Sequence, residues 1–265
     1  MNSLQQYTKE LAYAIVPQPL ERAAIENFYT TVEEALTNHF RFNIERCVPI
    51  GEFARETVLR HTIDKKTSIE LMILFQNDEY YENFSLMKKE IEHCISSSFS
   101  LSEDEMKQLR IPMKFGAIQL VPAIVVDSDL GSNLYISLLK HDKWIQSNPL
   151  EFDEKIHIKN NETSFLLKPI IRLLKYWNCT HGRYFSTETI ELFAANRISN
   201  SDSLHTELLR ILEQLPVLLK ENVQSIRVLQ EVQELTIELK QLLQKKHDEF
   251  QTLFIFKQIF PPILQ

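Results

Sequence analysis

The chain has 265 residues, of which 44% are apolar and only 4 are glycine, and its formal net charge is −7. A Rossmann fingerprint needs three clustered glycines and a P-loop needs two glycines followed by lysine, whereas the glycines here stand apart at Gly51, Gly116, Gly131 and Gly182. Neither glycine-rich phosphate loop is present. A chain with net negative charge also has no overall basic field, so we expect no long duplex nucleic acid as a partner.

The cysteines and the chain ends indicate the cellular compartment. Cys47, Cys94 and Cys179 are odd in number and far apart, which is typical of reduced core thiols rather than a disulfide framework. The first residues lack the basic and then apolar pattern of a secretory signal. Lys257 and Gln258 interrupt the most apolar C-terminal segment well short of a membrane span. We therefore predict a cytoplasmic protein without a membrane partner.

The first third of the chain changes from helical to extended periodicity. Apolar residues spaced at about 3.6 positions predict two helices within residues 1–40, the second starting after Pro17 and Pro19. Short β-branched apolar segments at 44–50 and 67–75 then predict two strands of one sheet.

Residues 80–98 have the pattern of a helix, and a short acidic helix follows it. Segments 111–115 and 117–127 are two further strand candidates. Pro122 lies within the second of them and cannot donate to a ladder hydrogen bond, so it predicts an edge position or a bend.

Every strong signal from about residue 160 onward is helical, including the long stripe of 222–248, which favours packing within a bundle over a separate coiled-coil contact. The predicted fold class is α+β. A small mixed or antiparallel sheet with flanking helices occupies domain 1–158, which includes the N-terminal helices. A helical bundle occupies domain 159–265.

Three segments follow one another in a specific order: Gly51-Glu-Phe-Ala-Arg-Glu-Thr57 after the first strand, Ser68-Ile-Glu70 in the second, and Gln119-Leu-Val-Pro-Ala123 in a later one. They resemble the nucleotidyltransferase superfamily of DNA polymerase β type, in the branch of oligoadenylate synthetases, cyclic GMP-AMP synthase and bacterial CD-NTases. That family has Gly-Ser-x-x-x-Gly-Thr, then Asp-x-Asp, then a third Asp before Val-Pro-Ala. Segments 143–149, 166–178 and 185–192 resemble its later helical motifs.

The resemblance implies two Mg²⁺ ions, held by three carboxylates, that align a 3′-hydroxyl with the α-phosphate of a nucleoside triphosphate. Ser68 and Gln119 stand at two of the three carboxylate positions, and neither carries a negative charge. Glu70, the only acid that remains, is the expected catalytic residue and the only expected metal ligand.

The resemblance also assigns nucleotide-binding positions. Gly51, Glu52 and Thr57 form the phosphate turn, while Lys175 matches the lysine that reaches the triphosphate and Thr187 matches the serine of a Ser-Tyr pair. Glutamate replaces three family residues: the serine and the second glycine of the turn, and the base-stacking tyrosine, at Glu52, Glu56 and Glu188. Two carboxylates therefore face the place of the triphosphate, and base stacking is lost.

The leading hypothesis is a catalytically degenerate family member that binds a partner protein, a nucleotide or a nucleotide second messenger, without a cofactor. The first alternative is an active enzyme that makes a (cyclic) oligonucleotide signal or adds nucleotides to an acceptor. It would need Mg²⁺ or Mn²⁺ and a second acid such as Asp64 or Asp127 beside Glu70. The second alternative is a structural subunit that docks a partner through helix 222–248. The family's relatives imply a role in antiviral defence.

Overall fold

The computed structural model describes residues 3–76, 78–128, 131–199, 203–215, 226–244 and 249–263. It divides into two compact units, a continuous one of residues 17–155 and a second one that combines residues 1–16 with residues 156–265. The division after residue 155 falls close to the predicted boundary at 158. The first 16 residues differ from the prediction, because they belong to the helical unit and not to the α/β unit.

Helix α1 (Ser3–Ala14) explains this difference. The Tyr7 ring meets the Phe256 ring edge to face at 5.9 Å, and the Tyr7 hydroxyl donates to the Phe260 carbonyl at 3.2 Å. Periodicity indicates which face of a helix is buried but not which distant element covers it.

The unit of residues 17–155 contains a six-stranded mixed sheet. Its strands are β1 (Ile44–Ile50), β2 (Ser68–Phe75), β3 (Arg110–Met113), β4 (Gly116–Ser128), β5 (Gly131–Leu138) and β6 (Lys143–Gln146). The strand order is β1-β2-β4-β5-β6. Strand β3 pairs with the first residues of β4, whereas β5 pairs with its last residues, and only the β2–β4 pair is parallel. The predicted α+β class is confirmed.

Five helices accompany this sheet: α2 (Pro19–Phe40), α3 (Gly51–Ala54), α4 (Asp78–Glu82), α5 (Phe84–Ser98) and α6 (Glu103–Lys107). The helix predicted at 80–98 is two helices, because Asn83 caps α5 by accepting the Leu86 N–H. Helices α2 and α5 cover one sheet face in a core that includes Ile69, Leu71 and Ile73. Since strand side chains alternate, Ser68 and Glu70 face the other side.

Pro122 does not lie at a sheet edge. On one side of β4 it pairs with Ile73 of β2. On the other side, the pairing with β3 ends at Gln119 and the pairing with β5 begins at Ala123. The proline therefore occupies the gap in which β4 changes partner, where a missing donor costs no ladder hydrogen bond.

Strands β5 and β6 were not predicted. Strand β6 has only four residues, and β5 has a short apolar run, Leu134 to Ile136, between polar residues, without a buried side chain among its described positions. Such strands lack the long continuous apolar run that identifies β2.

The second unit contains α1, the C-terminal part of α7 (Pro149–Glu162), α8 (Leu167–Thr180), α9 (Thr187–Arg197), α10 (Leu204–Leu212), α11 (Ile226–Gln244) and α12 (Glu249–Ile259). The stripe of α11 is buried through Leu229, Val232 and Leu239, and α11 packs against α10 and α12. Bundle packing thus accounts for the described part of segment 222–248, whereas 222–225 and 245–248 lie outside the described residues. No described helix is long and apolar enough to cross a membrane.

Candidate functional site

Three predicted site residues lie together on one face of the sheet. Ser68 and Glu70 are two positions apart on β2, and Glu70 pairs directly with Gln119 of the parallel strand β4. Their side chains therefore point to the face opposite α2 and α5. Further along the strands the same face becomes apolar at Met72 and Leu74.

The turn after β1 lies directly against Glu70. Gly51 has a φ of +74°, and a Cβ at this position would lie 2.0 Å from the Glu70 Oε2. Glycine is favoured here by the left-handed backbone, and a Cβ would displace the Glu70 carboxylate. The structure thus brings Gly51 and Glu70 into contact.

Glu56, at the position of the family's second glycine, has a left-handed backbone. Its φ is +59°, in the left-handed region that costs a residue with a Cβ about 1 kcal/mol. The turn remains hydrogen-bonded, since the Glu56 N–H donates to Phe53 O at 3.0 Å and the Thr57 N–H to Glu52 O at 2.9 Å. Thr57 is fully buried beneath the turn, whereas Glu56 is exposed.

The donor set does not fit a two-metal centre. The Ser68 Oγ is buried and finds no hydrogen-bond partner in the described part of the chain. Gln119 uses its amide nitrogen to donate to the Gln108 carbonyl at 2.7 Å. Glu70 alone supplies a carboxylate, and the described residues contain no group of three or more His, Cys, Asp or Glu side chains able to hold a metal ion. Divalent Mg²⁺ is normally bound by carboxylates together with substrate phosphates.

Of the two alternative acids, Asp127 lies far from this set along β4. Asp127 lies eight residues beyond Gln119 on β4, which is about 26 Å at a rise of about 3.3 Å per residue, and it accepts the Ser132 hydroxyl. The Asp64 carboxylate accepts the Lys66 N–H at 3.0 Å within the loop before β2.

In the helical unit, Lys175 is committed to an internal ion pair. Its Nζ lies 4.0 Å from the Glu191 Oε1, and the two side chains are 3% and 0% exposed. Thr187 is the first residue of α9, whose N-terminus is capped by Ser186 through the Thr189 N–H. Glu188 follows and is exposed.

Two residues of the turn network were missed in the sequence. Asp153 accepts the Gly51 N–H at 3.1 Å through Oδ2 and pairs with Arg55 through Oδ1. Asp153 and Gly51 are 102 positions apart, so no local pattern connects them. An arginine directly after two apolar residues of the turn, in Phe53-Ala54-Arg55, was the available signal of a buried partner.

The parallel pair β2 and β4 carries Ser68, Glu70 and Gln119, and the glycine turn after β1 lies beside it. This arrangement defines a nucleotidyltransferase-type core. Residues 1–160 match the Second Messenger Oligonucleotide or Dinucleotide Synthetase domain, SMODS. The chain belongs to the SMODS family, the CD-NTase branch of the nucleotidyltransferases.

Solved structures of this branch have the same fold. Vibrio cholerae DncV, a cyclic AMP-GMP synthase described as a prokaryotic cGAS homolog, superposes with a TM-score of 0.75 at 10% identity, over 98% of this chain and 96% of that chain. Elizabethkingia meningoseptica CdnE, a cyclic dinucleotide synthase solved with GTP and Apcpp, gives a TM-score of 0.63 at 18% identity, over 82% of this chain and 85% of that chain. E. coli MS115-1 CdnC, solved in a complex with HORMA-deltaN, gives 0.63 at 12% identity, over 98% and 98%. No curated relative matches the sequence.

Proposed function

We propose that the protein is a catalytically inactive member of the SMODS family, which acts by binding instead of by nucleotidyl transfer. The observation that carries the proposal is the donor set, in which Ser68 and Gln119 flank the single carboxylate of Glu70. One carboxylate cannot replace the three that hold two metal ions and stabilise the attacking and leaving oxygens.

Two contacts support a protein rather than a nucleoside triphosphate as the bound partner. The buried Lys175 is neutralised by Glu191, and the Gly51 amide is already hydrogen-bonded to Asp153. Glu52 and Glu56 add negative charge to the same turn, which repels a polyanion. The fold is compatible with protein assembly, since CdnC was solved with a HORMA protein.

The test compares the wild type with a variant in which all three acidic positions are restored, Ser68→Asp with Glu70→Asp and Gln119→Asp. Each protein is incubated with labelled ATP, GTP, CTP and UTP and with Mg²⁺ or Mn²⁺, and Vibrio cholerae DncV is the positive control. We expect no oligonucleotide product from the wild type and no heat in titrations with Mn²⁺ or ATP. Mn²⁺ binding by the restored variant would show that the wild type lacks metal binding because of these three side chains and not because of its backbone.

The competing function is an active synthase. The backbone favours it, because Gly51 and position 56 keep left-handed φ angles and Glu70 keeps its register with Gln119. It predicts a metal-dependent product that disappears in Glu70→Ala. Such a product from the wild type would refute the inactive assignment.

A further inference from the structure

A buried ion pair holds the turn after β1 against the first residues of α7. Arg55 and Asp153 are 7% and 6% exposed, and the guanidinium of Arg55 donates to the Asp153 Oδ1. The second oxygen, Oδ2, accepts the Gly51 N–H at 3.1 Å. The guanidinium carbon of Arg55 also lies 4.8 Å from the centroid of the Phe152 ring. The Asp153 carboxylate thus accepts hydrogen bonds from two donors of the turn, beside the ring of Phe152.

These contacts have the chemistry of an oxyanion site. A guanidinium keeps its charge at all physiological pH values, and burial makes an uncompensated charge costly. Charge-assisted hydrogen bonds from arginine to a carboxylate are among the stronger ones in proteins, and the Gly51 amide adds a second donor. In this protein the required anion is supplied by its own side chain.

We propose that Gly51 and Arg55 form an anion-binding cradle, which Asp153 fills as a tethered ligand. Asp153 is a positioning residue, because it fixes the turn of residues 51–57 without any nucleotide. Removal of its side chain exposes a site for a small free carboxylate, of which formate is the closest match in size and charge. This inference holds whether the protein is an inactive binder or an active enzyme.

The test is chemical rescue of Asp153→Gly. We expect its melting temperature to fall by about 10 °C and sodium formate to restore about half of the loss in a saturable manner. Formamide, a neutral molecule of similar shape, and sodium chloride at equal ionic strength leave the melting temperature unchanged. Hydrogen exchange of the amides of residues 51–57 slows only when formate is added, which reports on the cradle itself.

Two matched variants separate the cradle from a general salt effect. Arg55→Met with Asp153→Gly lacks the guanidinium and should not respond to formate. Asp153→Asn is destabilised but should not respond either, because its amide still fills the space. A formate response of equal size in these variants, or in the wild type, would overturn the proposal.

If Asp153→Gly does not fold in chloride, refolding yield becomes the measurement. A higher yield in formate than in chloride or formamide supports the cradle. Equal yields in all three solutions refute it.

Discussion

Lys175→Met is the substitution that most directly tests how this chain uses the family's phosphate lysine. Methionine keeps the apolar stem of Lys175 but leaves Glu191, which is 0% exposed, without the ammonium 4.0 Å away. At an effective dielectric constant near 20, two unit charges at this distance attract by about 4 kcal/mol. Breaking a buried pair by removing one partner typically costs about 3–5 kcal/mol. We therefore expect the free energy of unfolding of the helical unit to fall by about 3 kcal/mol.

The chain offers a local reporter for this measurement, because its two tryptophans lie in different units. Trp177 is buried in the helical unit and stacks on His181 at 5.5 Å, whereas Trp144 belongs to the α/β unit. In a Trp144→Phe background, urea unfolding followed by fluorescence reports on the helical unit alone. Adding Glu191→Leu should restore stability to within about 1 kcal/mol, because an apolar pair of similar volume replaces the ion pair. A loss below 1 kcal/mol in Lys175→Met would refute a structural role for the pair and would favour a lysine held for a ligand.

Three further predictions concern acid stability, thiol reactivity and backbone strain. Burial acts to raise the pKa of Glu207, but hydrogen bonds from Arg210 and Ser199 outweigh it and hold the pKa below its usual value. The stabilisation is therefore present above the unfolded pKa of about 4.3 and is lost as the pH falls through the lower folded pKa, so Glu207→Gln should cost about 2 kcal/mol at pH 7. Urea unfolding from pH 7 to 3 should show the two proteins converging, and a constant difference would contradict this. Burial raises the pKa of the Cys47 thiol to about 12 and that of the Cys94 thiol to about 11. A disulfide reagent at pH 8 should therefore label the half-buried Cys179 first. A fast labelling phase that survives Cys179→Ser would count against this prediction. Glu56→Gly should stabilise the protein by about 0.5 kcal/mol, because relief of the left-handed strain exceeds the entropy that glycine adds to the unfolded chain. The control Glu52→Gly, within α3, should destabilise the protein by about 1 kcal/mol. Thermal unfolding of both variants measures the two changes.

The elements that the sequence predicts well are those with strong periodicity. Strand β2 is buried from Leu71 to Phe75, and its apolar run is continuous, so its position was predicted to within one residue. Pro122 shows the limit of such rules, since the proline rule is correct about the missing donor but cannot reveal that β4 exchanges β3 for β5 at that point. Cys179 was expected in a core and is half-buried, because a cysteine's burial depends on contacts that its neighbours in sequence do not encode.

The candidate site, like the fold, was predicted only in part. The resemblance to nucleotidyltransferases predicted that Gly51, Ser68, Glu70 and Gln119 share one region. The parallel register of β2 and β4 brings Glu70 beside Gln119. The partner of Lys175 and the role of Asp153 could not be predicted, because the first depends on how the consecutive helices α8 and α9 pack and the second on a contact between positions 102 residues apart.

The assignment of α1 to the helical unit bears on how this chain folds during synthesis. Residues 17–155 contain all the segments of their own unit, so this unit can fold as soon as they leave the ribosome. Helix α1 emerges before residues 17–155, yet its partners Phe256 and Phe260 emerge after them, which gives the helical unit contacts of very high sequence separation. The apolar face of α1 therefore stays without its native partners until α8, α10 and then α12 have been made. A deletion of the first 16 residues should accordingly harm the C-terminal helices and spare the sheet.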